Sequence, residues 1–388
     1  MRLTRLLFPT VILAMLRSSL MALLNLQGRF TLPYVVILVA KAAELVMLVL
    51  WGPSQAIELL VALVWFDGIV TTIVFWLLLP GRQRLRLSFR WTPTVRHALA
   101  AATMITMIGI FGQISDYAYR WFGSFLRDGA ISLYYYASKF MPLSLGFLSM
   151  LIGRTLLPTL SALSASRDWA ALKAEVERAF RVAVFLLVPF LSALWVGRDA
   201  MLSLLLYRGA FREADLNSAS QLVVLLLPAT AACALTSLFQ VVLYAGQRLN
   251  QAAMSTGLAV ALEILLMALL VPWFDVFGIA IAMTVSRLAV FPLVVRLAES
   301  QTTSFSLWQA VPWTGRLAVA AAASAMAIRG LAALLDVSPW HSPLLFLTIE
   351  AGVFAGLYPL GLYLVGVQEV REAVALVVAK GRAFARSG

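Results

Sequence analysis

Charged side chains inside apolar segments are the residues of this sequence most able to do chemistry. Five basic residues interrupt such segments, namely Arg17, Lys41, Lys139, Arg287 and Arg329. A charge at the centre of a membrane costs roughly 2.5–3.5 kcal/mol on insertion scales, so it normally faces a partner charge or a water-filled cavity. Each of these cations therefore predicts either an ion pair or a contact with an anionic ligand.

Acidic residues in the same segments supply partners for some of these cations. Lys41 and Glu44 are three residues apart, a spacing that lets them pair on one face of a helix. Glu263 and Arg287 fall at comparable depth in consecutive apolar segments. They predict an intramembrane ion pair.

Lys139 has no acidic residue on its own apolar segment. It lies in YYYASKFMPLSLG, and the nearest acid on the preceding segment, Asp116, is closer to the outer end. A cation that faces a cavity suits an anionic substrate such as a pyrophosphate, whereas a bridge to Asp116 would be structural. Arg17 in the first segment leaves the same two alternatives open, and Arg329 could pair with Glu350 in the last hairpin.

Sequence signatures of enzymes and metal sites are absent. No Gly-Lys pair occurs, which excludes a Walker A loop. His97 and His341 sit in different loops and the single cysteine, Cys233, lies in an apolar run, so no metal site, disulfide or cofactor is predicted. The acidic residues of the outer loops are too scattered for a membrane glycosyltransferase, so we expect no enzyme.

Long apolar segments must position these charges. Of the 388 residues, 62% are hydrophobic and 12% charged, and the mean hydropathy is +0.91. A soluble protein is roughly 45–50% apolar and about 25% charged. The apolar runs are continuous rather than alternating, which argues against a β-barrel and predicts an all-α polytopic membrane protein with about eleven spans. The predicted spans are 6–25, 33–52, 56–79, 98–118, 130–153, 182–206, 217–245, 252–272, 276–295, 317–335 and 344–366.

Basic residues in the connections between spans are unequally distributed. Eighteen fall on one side of the predicted membrane and seven on the other. The richer side is normally cytoplasmic, which predicts a cytoplasmic C-terminus and an N-terminus outside. An odd number of spans with an external start predicts that an odd number of helices precedes this sequence. The net charge of +12 then reflects topology and contact with anionic membrane lipids, not nucleic acid.

Two polar segments stand between the spans. Residues 81–97 form a basic linker that separates three spans from eight. Residues 166–181 predict a short helix on the cytoplasmic face, with Ser166 as its N-cap. Its apolar residues recur at every fourth position from Leu172 to Phe180, which is typical of an amphipathic helix that lies on a membrane.

Several segments together carry a family resemblance. They are LTRLLFPTVILAMLRSSLMALLNLQGRFTLP, GQISDYAYRWFGSFL followed by ISLYYYASKFMPLSLG, GRTLLPTLSALSASRDW and LLYRGAFREAD. In this order they resemble MurJ/MviN-type lipid II flippases, a family of the multidrug/oligosaccharidyl-lipid/polysaccharide exporter superfamily, and the last segment is close to the family's R-G-x-F-x-x-x-D loop. The resemblance extends over essentially the whole chain and is densest between residues 105 and 215. It implies two helical bundles that move a lipid-linked sugar by alternating access.

The resemblance also implies a domain organisation. The eleven spans correspond to helices 4 to 14 of a fourteen-helix protein. Residues 1–80 would be a partial first bundle of three helices and residues 81–97 a cytoplasmic linker. Residues 98–296 would be the second six-helix bundle, and residues 297–388 two extra helices with a basic cytoplasmic tail.

Only some of the family's functional residues have a counterpart of the same type in this sequence. Lys139 occupies the position of the cavity arginine in the family's A-D-R-x-x-E motif, so the charge is kept while both acids are lost. Tyr119 stands where some members have an acid linked to sodium, and Glu263 aligns with an asparagine of the family. The resemblance therefore does not support a sodium site of the family type. The predicted substrate-binding residues are Lys139 first and Arg17 second.

Together with these spans and charges, the resemblance implies a flippase for lipid II, the undecaprenyl-pyrophosphate-linked precursor of peptidoglycan, in the bacterial cytoplasmic (inner) membrane. Its partners would be lipid II and membrane lipids, with proteins of cell-wall synthesis as further candidates. Two alternatives stay open. One is a truncated, non-transporting membrane scaffold of the same family, and the other is a flippase for another polyprenyl-linked oligosaccharide.

Overall fold

Helices make up every regular element in the part of the chain that the structure, a computed structural model, describes. The described residues are 2–26, 29, 31–51, 56–79, 92–142, 146, 156–206, 213–302 and 307–364. The helices are α1 (Arg2–Leu7), α2 (Thr10–Leu26), α3 (Thr31–Trp51), α4 (Ala56–Leu78), α5 (Pro93–Gly123), α6 (Ala130–Ser138), α7 (Leu157–Ala165), α8 (Trp169–Leu206), α9 (Glu213–Ala245), α10 (Leu249–Phe274), α11 (Val276–Thr302), α12 (Leu307–Leu334) and α13 (Pro343–Leu364).

Ten segments of these described helices are long and apolar enough to cross a membrane. They coincide with ten of the predicted spans, which confirms the prediction of an all-α polytopic membrane protein. The remaining predicted span, 130–153, begins with α6 and then runs into residues 143–145 and 147–155, which lie outside the described residues. Residues 81–91 of the predicted linker and the tail from residue 365 lie outside them too.

The chain divides into two compact units, residues 1–91 and residues 92–388. In the first unit α4 packs against α1, α2 and α3. Its small apolar core contains Leu20, Leu24 and Phe75, and Leu24 and Phe75 have no exposed surface.

The second unit is built around α9, α10 and α11, which pack against one another. Helix α5 lies along α10, while α6 packs against α9. Buried apolar residues form two large cores here, one around Phe239 and the other around Met267. The last two helices, α12 and α13, pack on each other and on α8, with Val196 and Ile328 in a third core. This packing positions the charged side chains described below.

Helix α8 differs from the sequence prediction of a short surface helix at residues 166–181. It runs without interruption from residue 169 to residue 206, and Leu172 and Phe180 are buried in the protein core. Ser166 caps the end of α7, and Asp168 Oδ1 instead accepts a hydrogen bond of 3.0 Å from the Ala171 backbone N–H. The apolar stripe therefore packs against protein, and no helix-breaking residue separates it from the span that follows.

Candidate functional site

A cavity of about 300 Å³ lies beside Lys139 in the second unit. Lys139 is the C-cap residue of α6, and its position follows from the end of that helix. The left-handed Gly129, with a φ of 89°, begins the helix and sets its direction. The cavity is lined by Ser115, Asp116, Tyr119, Arg120, Tyr134, Tyr135, Ser138, Lys139, Met141, Pro142, Cys233 and Met283.

The ammonium group of Lys139 is held by an aromatic ring rather than by an acid. Its Nζ lies 4.1 Å from the centroid of the Tyr135 ring, a cation–π contact. Asp116 lines the same cavity and is exposed, yet no ion pair joins it to Lys139. Within the described residues, Lys139 therefore keeps an uncompensated positive charge at the cavity wall.

Aromatic side chains and a second cation complete this wall. The rings of Tyr119 and Tyr134 lie 4.8 Å apart between centroids, and the Tyr134 hydroxyl is 3.0 Å from Met283 Sδ. Arg120 Nε donates a hydrogen bond of 3.2 Å to the Tyr119 hydroxyl. Arg120 was not predicted as a site residue, because it lies just beyond the predicted span 98–118. Its spacing of four residues from Asp116 could have identified it, because residues at that spacing lie on one face of a helix.

Glu263 and Arg287 are brought together in the interior of the second unit. Arg287 Nη2 donates to Glu263 Oε2 at 2.8 Å, and the Ser115 hydroxyl donates to Glu263 Oε1 at 2.8 Å. Glu263 is 1% exposed. Ser115, on α5, was not singled out in the sequence. The three side chains tie α5, α10 and α11 together.

Arg287 also faces a second cavity, of about 220 Å³. Its polar lining includes Gln240 and Thr256, which are joined by a hydrogen bond of 3.0 Å. Cys233 lines both this cavity and the one beside Lys139. The Glu263–Arg287 pair and Cys233 thus stand where the two cavities approach each other.

Asp67 joins the charged residues of the first unit. Its Oδ2 accepts from Arg17 Nη1 at 3.1 Å and lies 3.2 Å from Lys41 Nζ. Lys41 Nζ is also 2.6 Å from Glu44 Oε2 on its own helix. The structure therefore places Arg17 in an ion pair, with 31% of its side chain exposed.

Arg329 and Glu350 are not paired, contrary to the sequence expectation. The Arg329 guanidinium lies over the ring of Trp195, with Cζ 4.6 Å from the centroid. Glu350 is buried and turns toward α8, where its carboxylate contacts Gly197. The two side chains leave their helices in different directions, so similar depth did not bring them together.

Apolar helices of spanning length, together with a few charged side chains at cavities between them, define a polytopic membrane protein. The chain belongs to the lipid II flippase MurJ family, whose model matches residues 1–347. This finding confirms the family resemblance.

Two curated relatives show the extent of the similarity. A probable lipid II flippase MurJ of Bdellovibrio bacteriovorus is 27% identical over 228 residues, which cover 56% of this chain and 42% of that protein. One of Rhizobium tropici is 28% identical over 197 residues, which cover 51% of this chain and 37% of that protein. The chain thus spans about two-fifths of the length of the curated relatives it matches.

A solved structure shares the fold. It is a lipid II flippase MurJ in an inward closed conformation, with a TM-score of 0.69 and 15% sequence identity. The similarity covers 93% of this chain and 74% of that chain. It shows that the two chains share a helical, multi-pass fold.

Proposed function

We propose that this chain translocates lipid II across the bacterial cytoplasmic membrane by alternating access. The observation that carries the proposal is the position of Lys139, which is exposed beside a cavity of about 300 Å³ and unpaired within the described residues. Membership of the MurJ family supports it. The activity requires no covalent chemistry, because the protein only lowers the barrier to moving a charged head group through lipid.

Lys139 is the first proposed contact of the pyrophosphate. A cation at this cavity offsets the negative charge that would otherwise oppose entry of the head group into the membrane. Arg17 is the second proposed contact and the weaker one, because Asp67 already neutralises much of its charge. The nearby tyrosine rings offer flat apolar surfaces of the kind on which sugar rings can pack.

We also propose the orientation that the basic residues of the connections favour. The N-terminus lies outside and the C-terminus lies in the cytoplasm. Residues 98–296 form the second bundle, residues 297–388 the last two helices with a basic tail, and residues 1–80 part of the first bundle. Proteins of cell-wall synthesis are candidate partners.

The test measures the accessibility of lipid II at the outer face of cells depleted of their own flippase. Lys139→Arg should retain or improve activity, since Arg keeps the charge and adds a planar fork for two phosphate oxygens. Lys139→Gln should abolish activity without lowering the amount of protein in the membrane. Lys173→Gln is the matched control, because Lys173 lies near the start of α8, away from the cavity, 3.8 Å from Glu177.

Three results would contradict the proposal. Normal accessibility with Lys139→Gln would remove this residue from the mechanism. If Lys139→Gln instead lowered protein abundance and Asp116→Asn restored it, Lys139 would be a structural partner of Asp116. No activity with the native sequence would favour the non-transporting scaffold.

A further inference from the structure

A cationic and aromatic cluster lies on the surface where α8 meets α12. The Arg329 guanidinium stacks over the Trp195 ring at 4.6 Å, and Arg198 Cζ lies 6.0 Å from the centroid of the same ring. Arg329 is exposed, and 37% of Trp195 is exposed. Both guanidinium groups therefore lie against the same indole ring. This cluster is separate from the Lys139 cavity, with which it shares no residue.

Only one of these two arginines has a carboxylate partner in the described residues. Arg198 Nε donates to Ser220 Oγ at 2.9 Å and lies 3.7 Å from Asp199 Oδ1. Arg329 forms no ion pair there, because Glu350 faces Gly197 on α8 instead. Arg329 therefore carries an exposed positive charge within a membrane-spanning helix. Such a charge is costly unless it meets water or an anion.

The position of the cluster along α8 and α12 shows from which side an anion could reach it. Arg329 lies five residues before the end of α12 and Trp195 eleven residues before the end of α8, or about 8 and 17 Å at 1.5 Å per residue. These two helix ends lie on the same side, since Ser203 donates to the Trp340 carbonyl oxygen at 3.1 Å in the connection to α13. The cluster thus lies in the half of α8 and the half of α12 that end on this side, the outer side in the proposed topology.

We propose that Trp195, Arg198 and Arg329 form a binding site for the phosphate of a membrane lipid. A guanidinium group binds two phosphate oxygens at once and is easier to dehydrate than an ammonium group. Stacking on the indole holds the Arg329 fork in one orientation. Arg198, whose charge Asp199 partly offsets, adds a second guanidinium group that Ser220 holds in place.

Two kinds of lipid carry this chemistry, an anionic phospholipid and a polyprenyl phosphate. Their shared feature is a phosphate at the membrane interface with an apolar chain beside it. Exposed apolar side chains on α12, such as Val319 and Met326, provide a surface for such a chain. The experiment separates the two sources.

The test is native mass spectrometry of the full chain in detergent, with titrated dioleoyl-phosphatidylglycerol, undecaprenyl phosphate or inorganic phosphate. Arg329→Gln should weaken lipid binding about tenfold, as expected for one lost charge-assisted contact. Arg329→Lys should fall between the native chain and Arg329→Gln, because the charge stays but the fork is lost. Arg316→Gln is the matched control, being exposed near the other end of α12, and should bind like the native chain.

The comparison of the two lipids identifies the ligand, and the comparison of Arg329→Gln with Arg316→Gln tests the site. Tighter binding of undecaprenyl phosphate assigns the site to the carrier lipid, and equal or tighter binding of phosphatidylglycerol assigns it to bulk phospholipid. Native-like lipid binding by Arg329→Gln would overturn the proposal, as would an equal loss in Arg316→Gln. Displacement of lipid by millimolar inorganic phosphate alone would also overturn the proposal, because it would show an anion site without a lipid component. If Arg329→Gln yields no monodisperse protein, lipid binding by Arg329→Lys and by Trp195→Leu is compared with that of the native chain instead, and native-like binding by both would overturn the proposal.

Discussion

Arg287 Nη2 lies 2.8 Å from Glu263 Oε2 inside a helix bundle where Glu263 is 1% exposed. The Ser115 hydroxyl occupies the other carboxylate oxygen at 2.8 Å. Both oxygens of Glu263 are thus satisfied, and the carboxylate is available to an incoming cation only if Arg287 withdraws. The arrangement is that of a structural ion pair, and its energetics can be tested directly.

Removing either partner of this pair should destabilise the chain. A buried charge left without its partner commonly costs about 3–5 kcal/mol, so Glu263→Gln and Arg287→Gln should each lower the yield of folded protein. The double substitution removes both charges and should recover much of the loss. Fluorescence-detected size-exclusion chromatography after heating measures the folded fraction. Ser115→Ala is the matched control and should cost less, since it removes one hydrogen bond and no charge.

The contrary outcome for this pair is equally specific. If both single variants folded normally but lost a cation-dependent behaviour, Glu263 and Arg287 would form an ion site. The structural interpretation would then be wrong.

The contacts of Asp67 predict that it contributes more to the stability of the first unit than Glu44 does. It accepts contacts from Arg17 on α2 and from Lys41 on α3, whereas Glu44 contacts Lys41 on its own helix. Asp67→Asn should therefore lower the thermal midpoint of this unit more than Glu44→Gln does. Limited proteolysis of purified protein at rising temperature measures the difference. Equal loss in the two variants would show that Asp67 does not hold the three helices together.

Local hydropathy was enough to predict most of the spans, but not how far each helix extends. A run of about 20 apolar residues identifies a span because every backbone polar group must be satisfied within it. The amphipathic stretch at the start of α8 has the same local pattern whether it lies on lipid or packs on protein. Only the contacts of Leu172 and Phe180 with the core decide between the two.

Depth along a span predicted candidate partners, but not the direction of each side chain. Glu263 and Arg287 lie at comparable depth on consecutive helices and are in contact. Arg329 and Glu350 satisfy the same rule and are apart, because α13 packs on α8 and turns Glu350 toward Gly197. Such directions depend on packing between helices that are distant in the sequence.

The proposed orientation predicts which loops can be labelled from outside. Arg90→Cys, in a chain with Cys233 replaced by Ser, should resist a membrane-impermeant thiol reagent in intact cells and react after lysis. Asp128→Cys is the control from the opposite side and should react in intact cells, since residue 128 is exposed in the connection between α5 and α6. Labelling of position 90 from outside would overturn both the orientation and the assignment of residues 81–97 to the cytoplasm.

The close approach of Glu350 to Gly197 predicts that α13 can pack on α8 only while residue 197 has no side chain. A Cβ added at Gly197 would lie 3.0 Å from Glu350 Cδ and closer still to Oε2, so Gly197→Ala must displace a buried side chain. Overpacking of this kind typically costs 1–3 kcal/mol, and we expect about that loss of stability. Glu350→Ala in the same chain makes room for the methyl group and should restore most of it. Gly352→Ala, where nothing lies within 4 Å, is the control and should be neutral or slightly stabilising. The thermal midpoints of the purified variants measure this order of stability. Equal midpoints for Gly197→Ala and the native chain would show that α13 does not pack on α8 in this way.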